Sequence, residues 1–595
     1  MPNPTPHTSK LHSLTTNITS NMADDSLGHL GLLPQCGICD DAILRHERVI
    51  ALIGDRDSTS YRGHTRPFPF PQAGHTITRV DGFLQCRYQG CTGCAKSPEF
   101  IPIHCDCCEI FKANCHIEDA DVLSRLWTFA AWKKPWRGTL PIHLANRGID
   151  LDMLKRTARF AGLPLLCKLP MELLEMIRGY SQYSLFWRCI SVLLLANRVS
   201  VTGPEPLMIM PLSQILSWER NGSLSHGTSE SLPPAIRLTI NSGGITKIES
   251  LSCEQRYSRE CYDHSLFIVL RRELISDVTA QLQNGLLRLR LPPRIRSLPI
   301  WNTPDPPNLS FCLARPAVIS KWTRFTAVEM DKVRGITFFF SSGWIKGIHV
   351  HHSEESSAQW AFERFSRRPR RVLVWIHLAI PKDDRLLVLG VREHPDMGYN
   401  ILARTQLSGD AILGRHMRSG FKDRCLAKQA PITLIHGEPG ENRAVPYFGA
   451  YSASAPCPGL PRRFPVQSPG PSPIDGDPFL SWAPLEGVSW TRTFYDKGTG
   501  FCRGIMLGYE NGGSRTVGEC RLHVDATKTV VQPDRICFRI ESHRTHRDRV
   551  LYRVEAEFEH SLCHEQSDQE WKCRSLCGFV KFWFTYESSF LVVEN

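Results

Sequence analysis

The chain has 595 residues, of which 42% are hydrophobic and 22% charged, so it can bury sizeable cores and form several domains. Its net charge of +12 is a mild bias over this length and argues against nucleic acid as a partner. No apolar stretch approaches the length of a membrane span, and the amino end lacks the apolar core of a secretory signal. We therefore expect no membrane partner, and we expect the cysteines to lie in a reducing compartment, cytoplasmic or nuclear.

Residues 1–33 are mostly polar and are predicted to form a disordered tail. The following segment, residues 34–118, is rich in cysteine, because nine of the 22 cysteines lie between Cys36 and Cys115. A small domain in a reducing compartment needs staples other than disulfides, and zinc can supply them. This composition predicts a cysteine-rich, zinc-binding domain, with a metal-free reduced domain as the alternative.

Within this head, two local pairs have metal-ligand spacing. Cys36 and Cys39 form a C-x-x-C pair with a glycine inside, the spacing of a zinc knuckle. His104 and Cys107 form an H-x-x-C pair at the predicted start of a helix. A knuckle, a hairpin and a helix in this order predict a small treble-clef-like zinc head. Four protein ligands leave no open position on the metal, so we predict a structural zinc site rather than a catalytic one.

A second metal site is predicted from the remaining cysteines of the head. Cys91 and Cys94 form another C-x-x-C pair, and Cys86 precedes them at short distance. His75 is a candidate fourth ligand. The spacing predicts structural zinc here as well, but it does not determine how the ligands pair.

Residues 119–165 are predicted to be a helical connector, and residues 166–210 to form two short amphipathic helices. Pro170 suits the first helical position, where its missing N–H costs nothing. Gly179 is expected to end the first helix in a left-handed conformation. The apolar stripe of the two helices consists of Leu173, Leu174, Ile177, Phe186, Ile190, Leu193 and Leu194.

The run Leu-Pro-x-Glu-Leu-Leu-x-x-Ile, from Leu169 to Ile177, resembles the start of an F-box. The resemblance implies a segment that docks the protein onto the Skp-type adaptor of a cullin ubiquitin ligase, with an unknown protein substrate bound elsewhere. The residues implied to contact the adaptor are Leu169, Pro170, Leu173, Leu174, Ile177, Phe186 and Ile190. The head, with its runs CGIC, CTGC and IHCDCCEIF, looks like the amino end of uncharacterised F-box-like proteins of filamentous fungi. In the alternative interpretation the two helices are an internal hairpin of a larger domain.

After residue 200 the apolar residues alternate, which predicts strands. Two β-rich regions are expected, residues 211–454 and 479–595. Residues 455–478 separate them and contain eight prolines, so they are interpreted as a stiff exposed linker or a long surface loop.

Three segments of these regions, residues 236–248, 336–348 and 505–517, repeat one hairpin design. In the third, Asn511 and Gly512 predict a two-residue type I′ turn, which needs positive φ at both central positions. Such hairpins predict a large antiparallel body, a sandwich or a prism-like fold. They resemble the hairpins of jacalin-type lectins, which implies carbohydrate binding as an alternative role.

One constellation in the second hairpin is typical of an enzyme. Gly343, His349, His351 and Glu355 match the spacing of the first cupin motif, in which two histidines and a carboxylate bind a metal. No second cupin motif follows, so we interpret these histidines as strand residues without metal chemistry. The scattered cysteines Cys502, Cys520 and Cys537 are interpreted as buried apolar residues.

The sequence thus predicts an α+β multidomain chain with a zinc head, a short F-box-like segment and a β-rich body. The function that it favours is a non-enzymatic substrate receptor that binds a Skp-type adaptor. A β-sandwich binding module for carbohydrate or protein, or a cupin-like metal enzyme, with purely structural helices, is the alternative.

Overall fold

The computed structural model describes residues 28–594 except for positions 56, 118, 140, 141, 143, 145–147, 182, 183, 228–232, 253–256, 259, 261, 263, 296, 315–323, 366–369, 442, 453–459, 461, 467–470, 547 and 561–570. At residues 75–77 and 119–121 only the backbone is described. Residues 1–27 of the predicted tail lie outside this range. Residues 28–33 belong to the fold and include a strand, so the predicted boundary at residue 33 is wrong.

By its contacts the chain forms two compact units. The first contains the described residues up to Ala130 together with Lys155–Lys168 and Met176–Ser200. The second contains Ala131–Leu154, Leu169–Glu175 and the described residues from Val201 onward.

The cysteine-rich head and the helical segment account for the elements up to residue 201. In chain order these are β1 (His29–Gly31), β2 (Arg48–Gly54), β3 (Tyr61–His64), β4 (Phe68–Pro69), β5 (His75–Val80), β6 (Phe83–Cys86), α1 (Thr92–Lys96), β7 (Phe100–His104), α2 (Cys105–Asn114), α3 (Asp119–Ala131), α4 (Leu151–Phe160), α5 (Met171–Ser181) and α6 (Leu185–Val201).

Strand pairing in the head brings distant cysteines and histidines to strand ends. β7 pairs antiparallel with β2, which also pairs with β3 and β4, and Val49 lies opposite His104. β1 pairs parallel with β6, so that Gly31 lies opposite Cys86. β7 is buried along its whole length, and α2 begins at the residue that follows it.

The helical segment contains the two predicted helices, but the first is longer than expected. Gly179 does not end α5, which continues to Ser181. The Ser181 hydroxyl donates to the carbonyl of Ile177 over 2.6 Å and accepts from Trp187 Nε1 over 2.9 Å, which holds the end of α5 against α6. No single helix in the described part of the chain is long and apolar enough to cross a membrane. α5 and α6 pass that test only when counted together, across a bend of 112°.

The second unit is built mainly of strands. Those up to residue 437 are β8 (Met208–Pro211), β9 (Ile215–Glu219), β10 (Leu224–His226), β11 (Ala235–Asn241), β12 (Gly244–Leu251), β13 (Leu266–Arg271), β14 (Thr279–Gln283), β15 (Leu286–Arg290), β16 (Ile300–Trp301), β17 (Leu313–Ala314), β18 (Arg324–Glu329), β19 (Gly335–Ser341), β20 (Trp344–His351), β21 (Val374–Ala379), β22 (Leu386–His394), β23 (Gly398–Thr405), β24 (Gly409–Leu413), β25 (Lys422–Lys428) and β26 (Ile432–Gly437).

The remaining strands complete the carboxy-terminal part. They are β27 (Phe448–Ser452), β28 (Phe479–Pro484), β29 (Val488–Tyr495), β30 (Cys502–Tyr509), β31 (Ser514–Gly518), β32 (Ala526–Val531), β33 (Arg535–Arg544), β34 (Val550–Glu559), β35 (Lys572–Ser575), β36 (Phe579–Phe584) and β37 (Ser589–Glu594). Two short helices, α7 (Arg272–Ile275) and α8 (Gln359–Glu363), lie between strands of this unit. Most neighbouring strands run antiparallel, and the predicted β-rich antiparallel body is confirmed.

Two of the predicted hairpins belong to larger repeated units. β12, β11 and β13 form one antiparallel set, and β20, β19 and β21 form another. The register of the first hairpin shifts between Thr239 and Ile240, and that of the second between Phe339 and Phe340. The same irregularity therefore occurs at corresponding positions of both units, one hundred residues apart.

The third hairpin, β30–β31, forms as predicted, but its turn has a different type. Gly512 has a φ of +84°, whereas Asn511 is not among the residues with positive φ. The amide of Gly512 donates to the carbonyl of Tyr509 over 2.9 Å, so Glu510 and Asn511 are the central residues of the turn. Gly512 then follows in the left-handed region, as in a longer hairpin loop, and the predicted type I′ turn is wrong.

The two predicted β-rich regions share one apolar core. A single cluster of buried side chains includes Phe338 from the first region and Phe582 from the second. In the proline-rich segment between them, Phe464 and Ile474 are buried and pack against sheet residues. Other described residues of the segment, such as Arg462 and Val466, are exposed, so these residues form a surface loop that two buried side chains anchor to the sheets.

The carboxy-terminal cysteines differ in their chemistry. Cys502 and Cys520 are buried thiols, as expected. Cys537 instead forms a disulfide with Cys573, which lies directly opposite it on the neighbouring strand β35. The interpretation of Cys537 as a merely apolar residue is wrong, because strand pairing supplies it with a partner.

Candidate metal centre

The C-x-x-C pair at the start of the head folds into a tight turn. The amide of Cys36 donates to the carbonyl of Asp41 over 3.0 Å, and the amide of Asp40 donates back to the carbonyl of Cys36 over 3.1 Å. Asp40 reaches this position with a φ of +64°. Gly37 is required inside the turn, since a Cβ there would overlap the side chain of Ile101. The turn leaves the thiols of Cys36 and Cys39 side by side.

The second pair comes from the junction of β7 and α2. His104 ends the buried strand, and Cys107 lies in the first turn of the helix that follows it. Together with Cys36 and Cys39 they form a group whose ligand atoms lie within 4.8 Å of one another, here called cluster 1. All four side chains are buried, with exposed fractions from 0% to 3%. These are the four residues that the sequence analysis grouped as the first site.

The distances within cluster 1 fit a tetrahedral metal ion. His104 Nδ1 lies 3.5 Å from the sulfur of Cys39 and 3.7 Å from that of Cys107. A tetrahedral zinc ion with bonds of about 2.3 Å to sulfur and about 2.0 Å to nitrogen has sulfur–nitrogen edges of roughly 3.5 Å. Three thiols and one imidazole would thus surround such an ion and leave no open position.

The electrostatics of cluster 1 also favour a bound cation. Contact with the thiols of Cys107 and Cys36 raises the pKa of Cys39, and contact with Cys36 raises that of Cys107. Burial opposes ionisation of Cys36, but hydrogen bonds from Cys107, Cys39 and His104 lower its pKa well below the usual range. Three adjacent thiolates repel one another, so a divalent cation is needed to keep all three ionised.

The other ring nitrogen of His104 has a carboxylate partner. His104 Nε2 lies 3.3 Å from Glu47 Oε2, and the guanidinium of Arg188 donates to Glu47 Oε1 over 2.8 Å. Burial would lower the pKa of His104, but hydrogen bonds with Cys36 and Glu47 raise it to about 9. His104 and Arg188 together outweigh the burial of Glu47 and lower its pKa to about 2.

The remaining ligand pairs assemble into a second group, here called cluster 2, which consists of His29, Cys86, Cys91 and Cys94. Parallel pairing of β1 with β6 brings His29 near Cys86. Cys91 precedes the short helix α1 and Cys94 lies within it. The sulfur of Cys91 lies 3.3 Å from His29 Nδ1, close to the tetrahedral edge expected for zinc, about 3.5 Å.

Two local features hold His29 in cluster 2. The amide of His29 donates to the hydroxyl of Ser97 over 2.6 Å, which ties β1 to the end of α1. Gly93 is required next to the imidazole, because a Cβ at that position would lie 2.6 Å from a ring carbon of His29. Unlike cluster 1, cluster 2 is only partly buried, with Cys86 as its one fully buried described ligand.

His29 is the ligand that the sequence analysis missed. It was assigned to the disordered tail, although it lies in a short run of alternating leucines that could have indicated a strand. His75, the predicted fourth ligand, begins strand β5, and its side chain lies outside the described residues. Cys105, Cys108 and Cys115 belong to neither cluster.

The residues predicted to contact an adaptor differ in exposure. Pro170 and Leu173 are exposed, whereas Leu169, Ile177 and Phe186 are half-buried. Leu174 and Ile190 are buried in the protein itself, which corrects the prediction that they face a partner. Their apolar side chains fill the protein's own core.

Two further large apolar residues of α5 are exposed, and the sequence analysis did not name them. Met176 is 56% exposed and Tyr180 is 90% exposed, alongside Leu173 at 43%. The spacing of these three residues confines them to about 60° around the helix axis, because each residue turns an α-helix by about 100°. They form an exposed apolar stripe, here called the α5 stripe.

The cupin-like histidines lie in a different setting. His351 Nδ1 donates to the carbonyl of Ser356 over 2.9 Å, so its Nε2 accepts from the hydroxyl of Thr337 over 2.8 Å. The same hydroxyl accepts from His377 Nδ1 over 3.1 Å. His351 therefore has no lone pair left for a metal, and Glu355 is exposed. Neither His349 nor His351 belongs to a group of three potential ligands among the described residues.

Comparison with protein-family models finds no match, and comparison with curated proteins finds none either. Function must therefore be inferred from the side chains themselves. The two Cys and His clusters and the α5 stripe are the features that suggest a role.

Proposed function

We propose that this protein is a non-enzymatic adaptor with three parts. A treble-clef-like head is stabilised by structural zinc, an F-box-like helical segment binds the Skp-type adaptor of a cullin ubiquitin ligase, and the β-rich body recognises a protein substrate. The observation that carries the docking role is the exposed α5 stripe, because several large apolar side chains on one helix face indicate a binding surface.

The donor sets of the two clusters support zinc. Each cluster offers three cysteines and one histidine within 4.8 Å, a combination that tetrahedral structural zinc prefers. Cluster 1 is fully buried and offers four ligands, so a metal there would have no position for a substrate or a reactive water. In this proposal zinc supplies folding free energy rather than catalysis.

The α5 stripe supports docking on a partner. Leu173, Met176 and Tyr180 lie on one side of the helix, whereas Leu174 on the neighbouring side is 1% exposed. The helix is therefore anchored by one side and presents another. A few such apolar anchors carry most of the affinity of a typical protein interface.

The experiment is capture of a purified Skp-type adaptor by the full-length protein. In the variant Leu173→Asp/Met176→Asp, binding would bury two unpaired charges, at a cost of several kcal/mol. We expect at least a hundredfold weaker capture, with an unchanged melting temperature, because both positions are exposed.

The matched control is Asn197→Asp, which adds negative charge at an exposed position of the neighbouring helix α6. This control should capture the adaptor as the wild type does. A wild-type protein that never captures the adaptor would remove the F-box interpretation. Equal loss in the control and the stripe variant would show that charge, not the stripe, decides binding.

A further inference from the structure

We propose that Glu47 and Arg188 are positioning residues that couple cluster 1 to helix α6. Metal binding at cluster 1 and the seating of α6 would then favour each other. This inference rests on the proposed zinc site and extends it to the helical segment.

The first step concerns the imidazole. His104 Nδ1 faces the sulfurs of Cys39 and Cys107, and the opposite nitrogen, Nε2, faces Glu47. A neutral imidazole that gives its Nδ1 lone pair to a metal must carry its proton on Nε2. The Nε2–H group donates a hydrogen bond to the Glu47 carboxylate, and this bond fixes both the tautomer and the orientation of the ring.

The second step concerns the carboxylate. The amide of Leu44 donates to Glu47 Oε2 over 2.6 Å, and Arg188 donates to the other oxygen, Oε1. Both oxygens are therefore held, and Arg188 restrains the carboxylate through the oxygen that does not face His104. The Arg188 side chain is 9% exposed, and Asp41 is a second acidic neighbour, 3.6 Å from its Nε.

The third step links this network to the helix. Arg188 lies in the first turn of α6, so its guanidinium anchors the start of that helix to the head. A buried guanidinium that loses its closest carboxylate partner is costly, because Asp41 alone then compensates its charge. When His104 is held by a metal, Glu47 is held too, and α6 is stabilised. By thermodynamic reciprocity, a well-seated α6 stabilises the metal.

The test measures transfer of Zn²⁺ from the full-length protein to a chromophoric chelator. We expect Glu47→Gln and Arg188→Gln to accelerate release from cluster 1 about tenfold, the effect typical of lost outer-shell partners. Release from cluster 2, identified with a Cys91→Ser protein, should be unchanged. Arg188→Lys keeps the charge but not the planar fork, so it should restore part of the wild-type rate.

Arg198→Gln is the matched control, since Arg198 lies on the same helix but packs over the ring of Phe129. It should destabilise the protein without changing zinc release. A second measurement is amide hydrogen exchange in α6. Glu47→Gln should increase exchange there in the wild-type background and add nothing in the Arg188→Gln background, because Glu47 acts on α6 through Arg188.

The outcomes distinguish failure of the zinc site from failure of its coupling to α6. A wild-type protein without zinc would overturn the zinc site itself. Zinc release from Arg188→Gln and Glu47→Gln at the wild-type rate would overturn only the coupling. Acceleration by Arg198→Gln equal to that by Arg188→Gln would also overturn it, because general loosening of the helix would then explain both. None of these measurements depends on capture of an adaptor.

Discussion

Cluster 1 and the histidine row of β19–β21 both bury imidazoles, but they do so in opposite ways. In cluster 1, a thiol and a carboxylate surround His104 and raise its pKa to about 9. In the β-rich unit, burial lowers the pKa of His349 and His351 to about 4. Without a metal, the surroundings of the first imidazole favour its charged form, whereas the surroundings of the second group favour the neutral form. Spacing alone does not distinguish the two cases, whereas the neighbouring side chains do.

The largest expected effect comes from breaking cluster 1. Cys39→Ser should remove one zinc equivalent and unfold the head, because metal binding contributes on the order of 10 kcal/mol to the folding of small zinc sites. Elemental analysis and thermal unfolding of the purified protein measure both effects. The control is Cys108→Ser, a buried cysteine of α2 outside the cluster, which should keep its zinc. Loss of zinc from the control alone would contradict the ligand assignment.

A smaller effect on stability is expected when the pH is lowered and the buried histidines His349, His351 and His377 become protonated. Burial lowers the pKa values of His349, His351 and His377. The unfolded chain therefore binds more protons than the folded chain as the pH falls. The row should therefore lose stability as the pH falls from about 6.5 to about 4, by several kcal/mol in total. His352 and His523 are further titratable side chains near His351.

The measurement is denaturant unfolding of the β-rich unit between pH 7 and pH 4, followed by tryptophan fluorescence. The variant His349→Gln/His351→Gln carries fewer groups to protonate, so its stability should depend less on pH. An equally steep pH dependence in the variant would contradict this assignment.

The smallest expected effect concerns the zinc content of a variant that lacks two of the buried histidines. His349→Gln/His351→Gln should leave the zinc content of the intact protein unchanged, because both ring nitrogens of His351 already form hydrogen bonds within the protein. Elemental analysis beside the wild type measures this. A drop of one equivalent would revive the cupin-like alternative.

The parts of the metal site that the sequence predicts are those encoded locally. Cys36 with Cys39, and His104 with Cys107, are short-range pairs, so their spacing alone reveals them. His29 is brought to cluster 2 by the parallel pairing of β1 with β6, which no local pattern encodes. Local sequence patterns do not predict which distant strands pair, and for this reason His29 was not recognised as a ligand.

The same distinction holds for the rest of the fold. Alternating apolar residues predict the hairpins, but Asn511 shows that a favourable dipeptide does not determine the turn, because one more residue enters the loop. In α5, Leu173 and Leu174 fit one apolar stripe equally well. Only tertiary packing decides that the first is exposed and the second is buried.

The shared core of the β-rich unit has a consequence for synthesis on the ribosome. Ala450 and Leu591 belong to the same apolar cluster, but about 140 residues of chain separate them. At about 5–20 residues per second, roughly 7–28 s pass between the emergence of the two. During that interval the sheets before residue 450 lack their apolar counterpart. A nascent chain of this protein therefore needs shielding, by a chaperone or by provisional collapse, until its last strand has been made.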